Sequence, residues 1–144
     1  MMMQHKFVEF MPDQIQEGII YISPEYGTVI HLCACGCGEK VNTPLSPTGW
    51  KLTYDGKNIA LDPSIGNWNF DCRSHYWIKD NEVIWAENWS NTHVKYKRDH
   101  DRKQSDKYYR MGRVEKDGSE PEQKEFNTQI PKPFWKRILR WFGL

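Results

Sequence analysis

All four cysteines of the chain lie in two short clusters, and this placement limits the fold more than any other feature. The first cluster is Cys33-Ala34-Cys35-Gly36-Cys37-Gly38, and the second is Cys72-Arg73-Ser74-His75. Cysteines separated by one residue are poorly placed to form disulfides with one another, whereas a single zinc ion accepts several thiolates at tetrahedral corners. The clusters therefore predict a metal site rather than a disulfide framework.

The predicted ligands of this site are four thiolates, those of Cys33, Cys35, Cys37 and Cys72. His31 and His75 are alternative ligands, because three sulfurs within five residues are crowded. The competing interpretation is a set of buried free cysteines, which behave as small apolar residues. Thiolates reduce the Lewis acidity of zinc, and hydrolytic zinc sites usually combine histidine and carboxylate ligands with one open position. The predicted Zn²⁺ is therefore structural.

Composition and charge exclude several classes of function. A formal net charge of +1 over 144 residues argues against a nucleic-acid-binding protein selected for positive charge. No apolar run is long enough for a membrane-spanning helix, and the first residues do not resemble a signal peptide. We therefore expect a cytoplasmic protein, in a reducing compartment where clustered thiols serve as metal ligands.

Residues 1–94 carry the pattern of a small antiparallel β domain. Short apolar runs pair around turns in three predicted hairpins, at 18–32, 50–61 and 75–86. The strongest turn signal is Asp55-Gly56, because these residue types accept the positive φ angles of a two-residue turn. The sequence thus predicts a mainly β fold with a zinc knuckle and a C-terminal amphipathic helix.

Residues 95–130 are rich in charge and lack a core pattern, which favours a charged linker or a solvated helix. The alternative is a surface for an acidic partner or a nucleic acid, formed by basic residues with interleaved acids. These basic residues are Lys95, Lys97, Arg98, Arg102 and Lys103.

Residues 131–144 predict a short basic amphipathic helix, with Phe134, Ile138 and Phe142 on one face. Such a helix could cap the β domain, lie on a membrane surface or dock a protein partner. We favour the cap over the membrane surface, because small domains need every large ring they can bury.

Catalytic chemistry is suggested by Ser64 and His75. Pro63-Ser64-Ile65-Gly66 is predicted to form a tight turn after a strand, and a neutral imidazole could activate the Ser64 hydroxyl. Ser74 cannot easily use His75, since consecutive strand side chains point to opposite faces. A third residue that orients the imidazole is not singled out by the sequence, and the candidates are Asp62, Asp71 and Asp80.

These motifs together resemble a small bacterial family of cysteine-rich proteins encoded in operons with ubiquitin-like, E1-like and E2-like proteins. The resemblance rests on the C-x-C-G-C run at 33–37, Trp50, Pro63-Ser64-Ile65 and Cys72-Arg73-Ser74-His75. It covers roughly the first two-thirds of the chain.

The resemblance implies a deubiquitinase-like serine peptidase that matures or removes a ubiquitin-like protein by cleavage after its C-terminus. Ser64 would be the nucleophile, His75 the base, and the cysteines would hold both in place. The expected partners are the ubiquitin-like protein or its conjugates and the E1-like and E2-like enzymes. The alternative is a non-catalytic zinc module that recruits the ubiquitin-like protein or the E2-like enzyme, in which Ser64 is a turn residue and His75 a ligand.

Overall fold

The structure is a computed structural model that describes residues 1–117 of the chain and the side chains of residues 1–113. Eight strands and one helix occupy this part of the chain. They are β1 (Gln4–Phe7), β2 (Ile19–Ser23), β3 (Thr28–Leu32), β4 (Lys40–Pro44), β5 (Lys51–Tyr54), β6 (Ile59–Gly66), β7 (His75–Lys79), β8 (Glu82–Trp85) and α1 (Asn91–Asp117). The mainly β prediction is therefore confirmed.

The strands form two four-stranded sheets, in the orders β1-β2-β3-β4 and β5-β6-β7-β8. All neighbours are antiparallel except β1 and β2, which pair in parallel. The three predicted hairpins are the pairs β2–β3, β5–β6 and β7–β8. Gly56 has a φ of 95° in the β5–β6 turn, but the turn is not the predicted two-residue one. Tyr54 pairs with Ile59 across four loop residues, and the Asp55 carboxylate accepts hydrogen bonds from the N–H groups of Lys57 and Asn58.

One apolar cluster joins the two sheets. In β3 and β4 alternate residues are buried, as in a strand with one face on the core. In β6 the buried residues are Ile59, Leu61 and Ile65, each at most 2% exposed. The first sheet adds Ile20, Ile22, Val29 and Val41 to the same cluster. Burial of each such side chain contributes about 1.5–3 kcal/mol relative to an exposed one, and it fixes the register of β6 and β7.

Three segments differ from the sequence predictions. The segment around Ser64 is not a tight turn, because β6 continues to Gly66 and Ser64 lies within it. The turn signal reflects a local irregularity instead: the pairing of β6 with β7 shifts between Leu61 and Ile65, since Pro63 has no N–H to donate. β1 and β4 lie outside the three predicted hairpins.

Helix α1 begins at Asn91, and the first part of the predicted 95–130 segment is helical. Ser90 caps the helix, since its Oγ accepts a hydrogen bond from the N–H of His93 at 3.3 Å. Within residues 1–117 no helix is long and apolar enough to cross a membrane. The remainder of the 95–130 segment and the amphipathic helix at 131–144 lie outside the described residues.

Candidate active site

The first cysteine cluster forms the loop between β3 and β4. Gly36 and Gly38 have φ angles of 84° and 82°, a conformation that glycine adopts without a steric penalty. The loop is closed by hydrogen bonds from the N–H of Gly36 to the carbonyl of Cys33 and from the N–H of Cys33 to the carbonyl of Glu39. The chain thereby turns tightly enough to aim three thiols at a common point.

Cys72 completes a group of four sulfurs that lie within 4.8 Å of one another. The separations are 3.4 Å for Cys33–Cys35, 3.9 Å for Cys33–Cys72 and 3.7 Å for Cys37–Cys72. Four sulfurs placed about 2.3 Å from a zinc ion at tetrahedral corners are separated by about 3.8 Å. The donor set and its spacing therefore fit a tetrahedral thiolate site, and these four cysteines could hold a metal ion.

The thiols of this cluster differ in acidity. Desolvation and hydrogen bonds with the neighbouring thiols raise the pKa of Cys35 to about 12. Desolvation also opposes ionisation of Cys72, but hydrogen bonds from Ser74 outweigh it and lower the pKa of Cys72 to about 7. Because metal binding requires thiolates, filling the site would release protons.

Ser74 stabilises the cysteine cluster through hydrogen bonds. Its Oγ lies 3.0 Å from the Sγ of Cys33 and accepts a hydrogen bond from the Asn67 side-chain amide at 2.8 Å. Both residues are buried, so each hydrogen bond also satisfies a group that water does not reach. Ser74 therefore belongs to the cysteine centre and is turned away from His75.

His31 takes no part in the group of thiols. Its Nε2 is 2.9 Å from the Tyr76 hydroxyl, and burial lowers the pKa of His31 to about 4. The residue is therefore neutral and belongs to the buried layer beneath the cluster. Neither alternative histidine ligand, His31 or His75, is among the thiol group in the described part of the chain.

His75 contacts Ser64 on the neighbouring strand. The Nε2 of His75 lies 2.9 Å from the Oγ of Ser64, which is the separation expected of a nucleophile and its base. His75 is 3% exposed, whereas Ser64 is half-buried and reaches the surface. The two residues that the sequence singled out for catalysis are thus adjacent in space.

The third group of the site is a backbone carbonyl. The Nδ1 of His75 lies 2.7 Å from the carbonyl oxygen of Glu87. Because a carbonyl only accepts, Nδ1 must carry the proton, and Nε2 is then free to accept the proton of Ser64. Among the described residues no hydrogen bond joins His75 to a carboxylate, so none of the three predicted aspartates, Asp62, Asp71 and Asp80, orients the imidazole.

Three tryptophans surround the imidazole. The ring centroids of Trp68, Trp89 and Trp77 lie 4.9, 5.0 and 5.8 Å from that of His75. Trp68 lies against the backbone of β6, where a Cβ on Gly66 would collide with its indole. These rings restrict rotation of the imidazole and exclude water from one side of it.

The Ser64–His75 pair opens into a cleft of about 490 Å³. The floor is formed by β6, one wall by the loop at 47–50, and the other by Trp89 and α1, which contributes Val94, Lys97 and Arg98. Trp50 and Trp68 line this cleft, whereas Tyr76 is a core residue with no exposed surface.

Sequence reasoning missed the Glu87 carbonyl and Trp89. A main-chain acceptor has no residue signature. Trp89 lies beyond the last predicted strand, where the sequence offered no structural element. Its stacking on His93, at 4.3 Å between centroids, depends on where α1 begins.

A family model described as bacterial ubiquitination-like system serine protease (BubE) matches residues 7–86, more than half of the chain. The matched segment contains Ser64, His75 and all four cysteines, but not Glu87, Trp89 or α1. Among the curated proteins and the solved structures, the comparisons found no match.

Proposed function

This chain belongs to the family of bacterial ubiquitination-like system serine proteases, and on that premise we propose that it cleaves after the C-terminus of a ubiquitin-like protein. The reaction would mature the ubiquitin-like protein or remove it from its conjugates. Its partners would be that protein and, within the same system, the E1-like and E2-like enzymes. The cytoplasm is the proposed compartment, because the four thiols require reducing conditions.

The observation that carries the proposal is the hydrogen-bonded series from Ser64 through His75 to the Glu87 carbonyl, at 2.9 and 2.7 Å. A serine hydroxyl is unreactive at neutral pH unless a base removes its proton. The carbonyl holds the imidazole in the tautomer that can do so, as the carboxylate does in a serine protease triad.

Catalysis would proceed by acyl transfer. The Oγ of Ser64 attacks the carbonyl carbon of the last residue of the ubiquitin-like protein while the Nε2 of His75 takes the hydroxyl proton. His75 then gives this proton to the leaving amine, and the bond between the carbonyl carbon and the amine breaks. Water, deprotonated by His75, hydrolyses the ester and regenerates Ser64.

We further propose that the cysteine cluster holds a structural zinc ion. The four thiolates named above would bind it, and the ion would cross-link the β3–β4 loop to Cys72, which lies three residues before His75 at the start of β7. Fixing the backbone at Cys72 would therefore restrict the position from which His75 reaches Ser64.

The function is tested with the ubiquitin-like protein of the same system, extended at its C-terminus by a short peptide. We expect intact-mass spectrometry to show release of the extension, and we expect prior reaction with a fluorophosphonate to stop it. Cleavage that continues after complete reaction with the fluorophosphonate would contradict a serine mechanism. No cleavage by folded, zinc-loaded protein would favour the non-catalytic recruiting module.

A second prediction concerns the orienting group. Asp62→Asn, Asp71→Asn and Asp80→Asn are each expected to retain kcat within about threefold, because a main-chain carbonyl holds His75. Converting the aspartate of a serine protease triad to asparagine lowers kcat by about 10⁴-fold. A loss of that size in any one variant would show that a carboxylate orients His75 during catalysis.

A further inference from the structure

A second groove, of about 360 Å³, adjoins the cleft that contains Ser64. Trp68, Val94 and Arg98 line both of them. We call this the basic groove, because its charged side chains are those of Arg73, Lys95, Arg98 and Arg102, with a single acid, Asp99. A substrate polypeptide that extends from the cleft past Trp68 would enter the basic groove directly.

Most of this positive charge has no ionic partner among residues 1–113. Arg102 pairs with Asp99 at 2.9 Å. Arg98, by contrast, donates to the side-chain oxygen of Asn69 at 3.0 Å, and Arg73 donates to the carbonyl of Trp89 at 3.3 Å. Both acceptors are neutral, so the guanidinium charges are left uncompensated.

The two guanidiniums are also held in place. Arg73 lies over the ring of Trp68, with its Cζ 5.6 Å from the centroid, and Arg98 projects from the first turns of α1. A guanidinium that is already oriented binds a carboxylate through paired hydrogen bonds at a smaller entropic cost than a mobile lysine. The two guanidiniums of the basic groove are therefore suited to binding carboxylates.

We propose that the basic groove binds an acidic segment of the protein substrate and thereby directs that substrate to Ser64. The proposal deepens the peptidase function, on which it rests. A peptide is favoured over a nucleic acid because the net charge is only +1 and because Asp99 and Asp101 lie among the basic residues. These acids would repel a continuous line of phosphates, whereas separated glutamates can avoid them.

The test measures binding to the full-length Ser64→Ala chain, so that hydrolysis does not interfere. The probes are two fluorescein-labelled peptides of roughly twelve residues, one alternating glycine with glutamate and the other glycine with glutamine. At about 50 mM NaCl we expect the glutamate peptide to bind at least about tenfold more tightly, and we expect the difference to shrink at about 300 mM as salt screens the charges.

Three groove variants and one matched control locate the binding. Arg98→Glu and Lys95→Glu are expected to remove most of the preference for glutamate, and Arg98→Lys to retain part of it. Arg110→Glu makes the same change of charge on the same helix at an exposed position outside both grooves, and we expect it to retain the preference. All these positions are exposed, so folding should not be affected.

Three results would overturn the proposal. The first is equal affinity for the two peptides, and the second is an equal loss of the preference for glutamate in Arg98→Glu and Arg110→Glu. The third is a single-stranded oligonucleotide that binds more tightly than the glutamate peptide and no longer binds to Arg98→Glu. Reaction of wild-type Ser64 with a fluorophosphonate reports separately on the peptidase function. If Ser64 is labelled but the protein shows no preference for glutamate, only the proposed role of the basic groove is rejected. If Ser64 is not labelled, the proposed peptidase function is rejected.

Discussion

Replacing Ser64 by alanine is expected to lower kcat for release of the C-terminal extension by at least about 10⁴-fold. The nucleophile and its base act as a unit, and removal of either from a serine protease costs on the order of 10⁶-fold in kcat. The KM should change little, because the Ser64 hydroxyl is a small part of the cleft. Steady-state kinetics over a range of substrate concentrations separate these two quantities.

Ser74→Ala is the contrasting variant, since both serines lie near His75 in the sequence but only Ser64 contacts its imidazole. Loss of the Ser74 hydroxyl leaves the amide of Asn67 short of a partner, which costs about 1–3 kcal/mol of stability. We expect the variant to melt at a lower temperature and still to cleave the substrate. If Ser74→Ala is inactive while Ser64→Ala is active, the nucleophile has been assigned to the wrong serine.

Replacing Cys37 by serine is expected to lower the melting temperature by at least about 15 °C and to remove one zinc ion per chain. Structural zinc contributes on the order of 10 kcal/mol in zinc-finger peptides, which is comparable with the whole free energy of unfolding of a typical domain. Native mass spectrometry gives the metal content, and calorimetry gives the melting temperature.

Cys37 is informative because its side chain is exposed. Without a metal, an exposed Cys→Ser change alters stability by about 0.5 kcal/mol or less. Replacement of buried Cys33, by contrast, is destabilising whether or not the site holds a metal ion. Glu39→Gln, an isosteric change at an exposed position in the same loop, is the matched control and should retain the ion. A Cys37→Ser protein that melts like this control would contradict the metal site.

The hairpins could be predicted because their turns and alternation are local. Asp55-Gly56 indicates the position of one turn, although the loop has four residues rather than two. In another turn Asp80 and Asn81 adopt φ angles of 53° and 63°, which these residue types tolerate. β4 was missed because it is Lys-Val-Asn-Thr-Pro, in which only Val41 and Thr43 face the core. Its pairing with β3 depends on the cysteine loop rather than on its own propensity.

The candidate site was predictable as far as its side chains carry chemistry. Ser64, His75 and the four cysteines lie in short motifs, and the structure brings each set together. The strand position of Ser64 was hidden, because Pro63 and Gly66 are typical turn residues and also occur at strand irregularities. The role of the Glu87 carbonyl could not be predicted, because every residue has a backbone carbonyl. Only the path of the chain after β8 brings this one to His75.

The charged stretch after residue 95 shows a different limit. Its interleaved acids and bases predict a charged linker or a solvated helix; the described part is helical, and most side chains of residues 91–113 are exposed. The sequence could not show that Arg98 on this helix and Arg73 in the second cysteine cluster line one groove together with Trp68. Their proximity arises from the tertiary structure, and it is the basis for the proposed recognition of acidic substrate.

The pairing of Ser64 with His75 is tested most directly by intact-mass and peptide-mapping mass spectrometry after reaction with a fluorophosphonate, which labels activated serines without the natural substrate. We predict a single adduct, on Ser64, in the zinc-loaded wild-type protein, and none in His75→Ala protein that still holds zinc. An unlabelled wild-type protein, or equal labelling of Ser64 after loss of His75, would contradict the account.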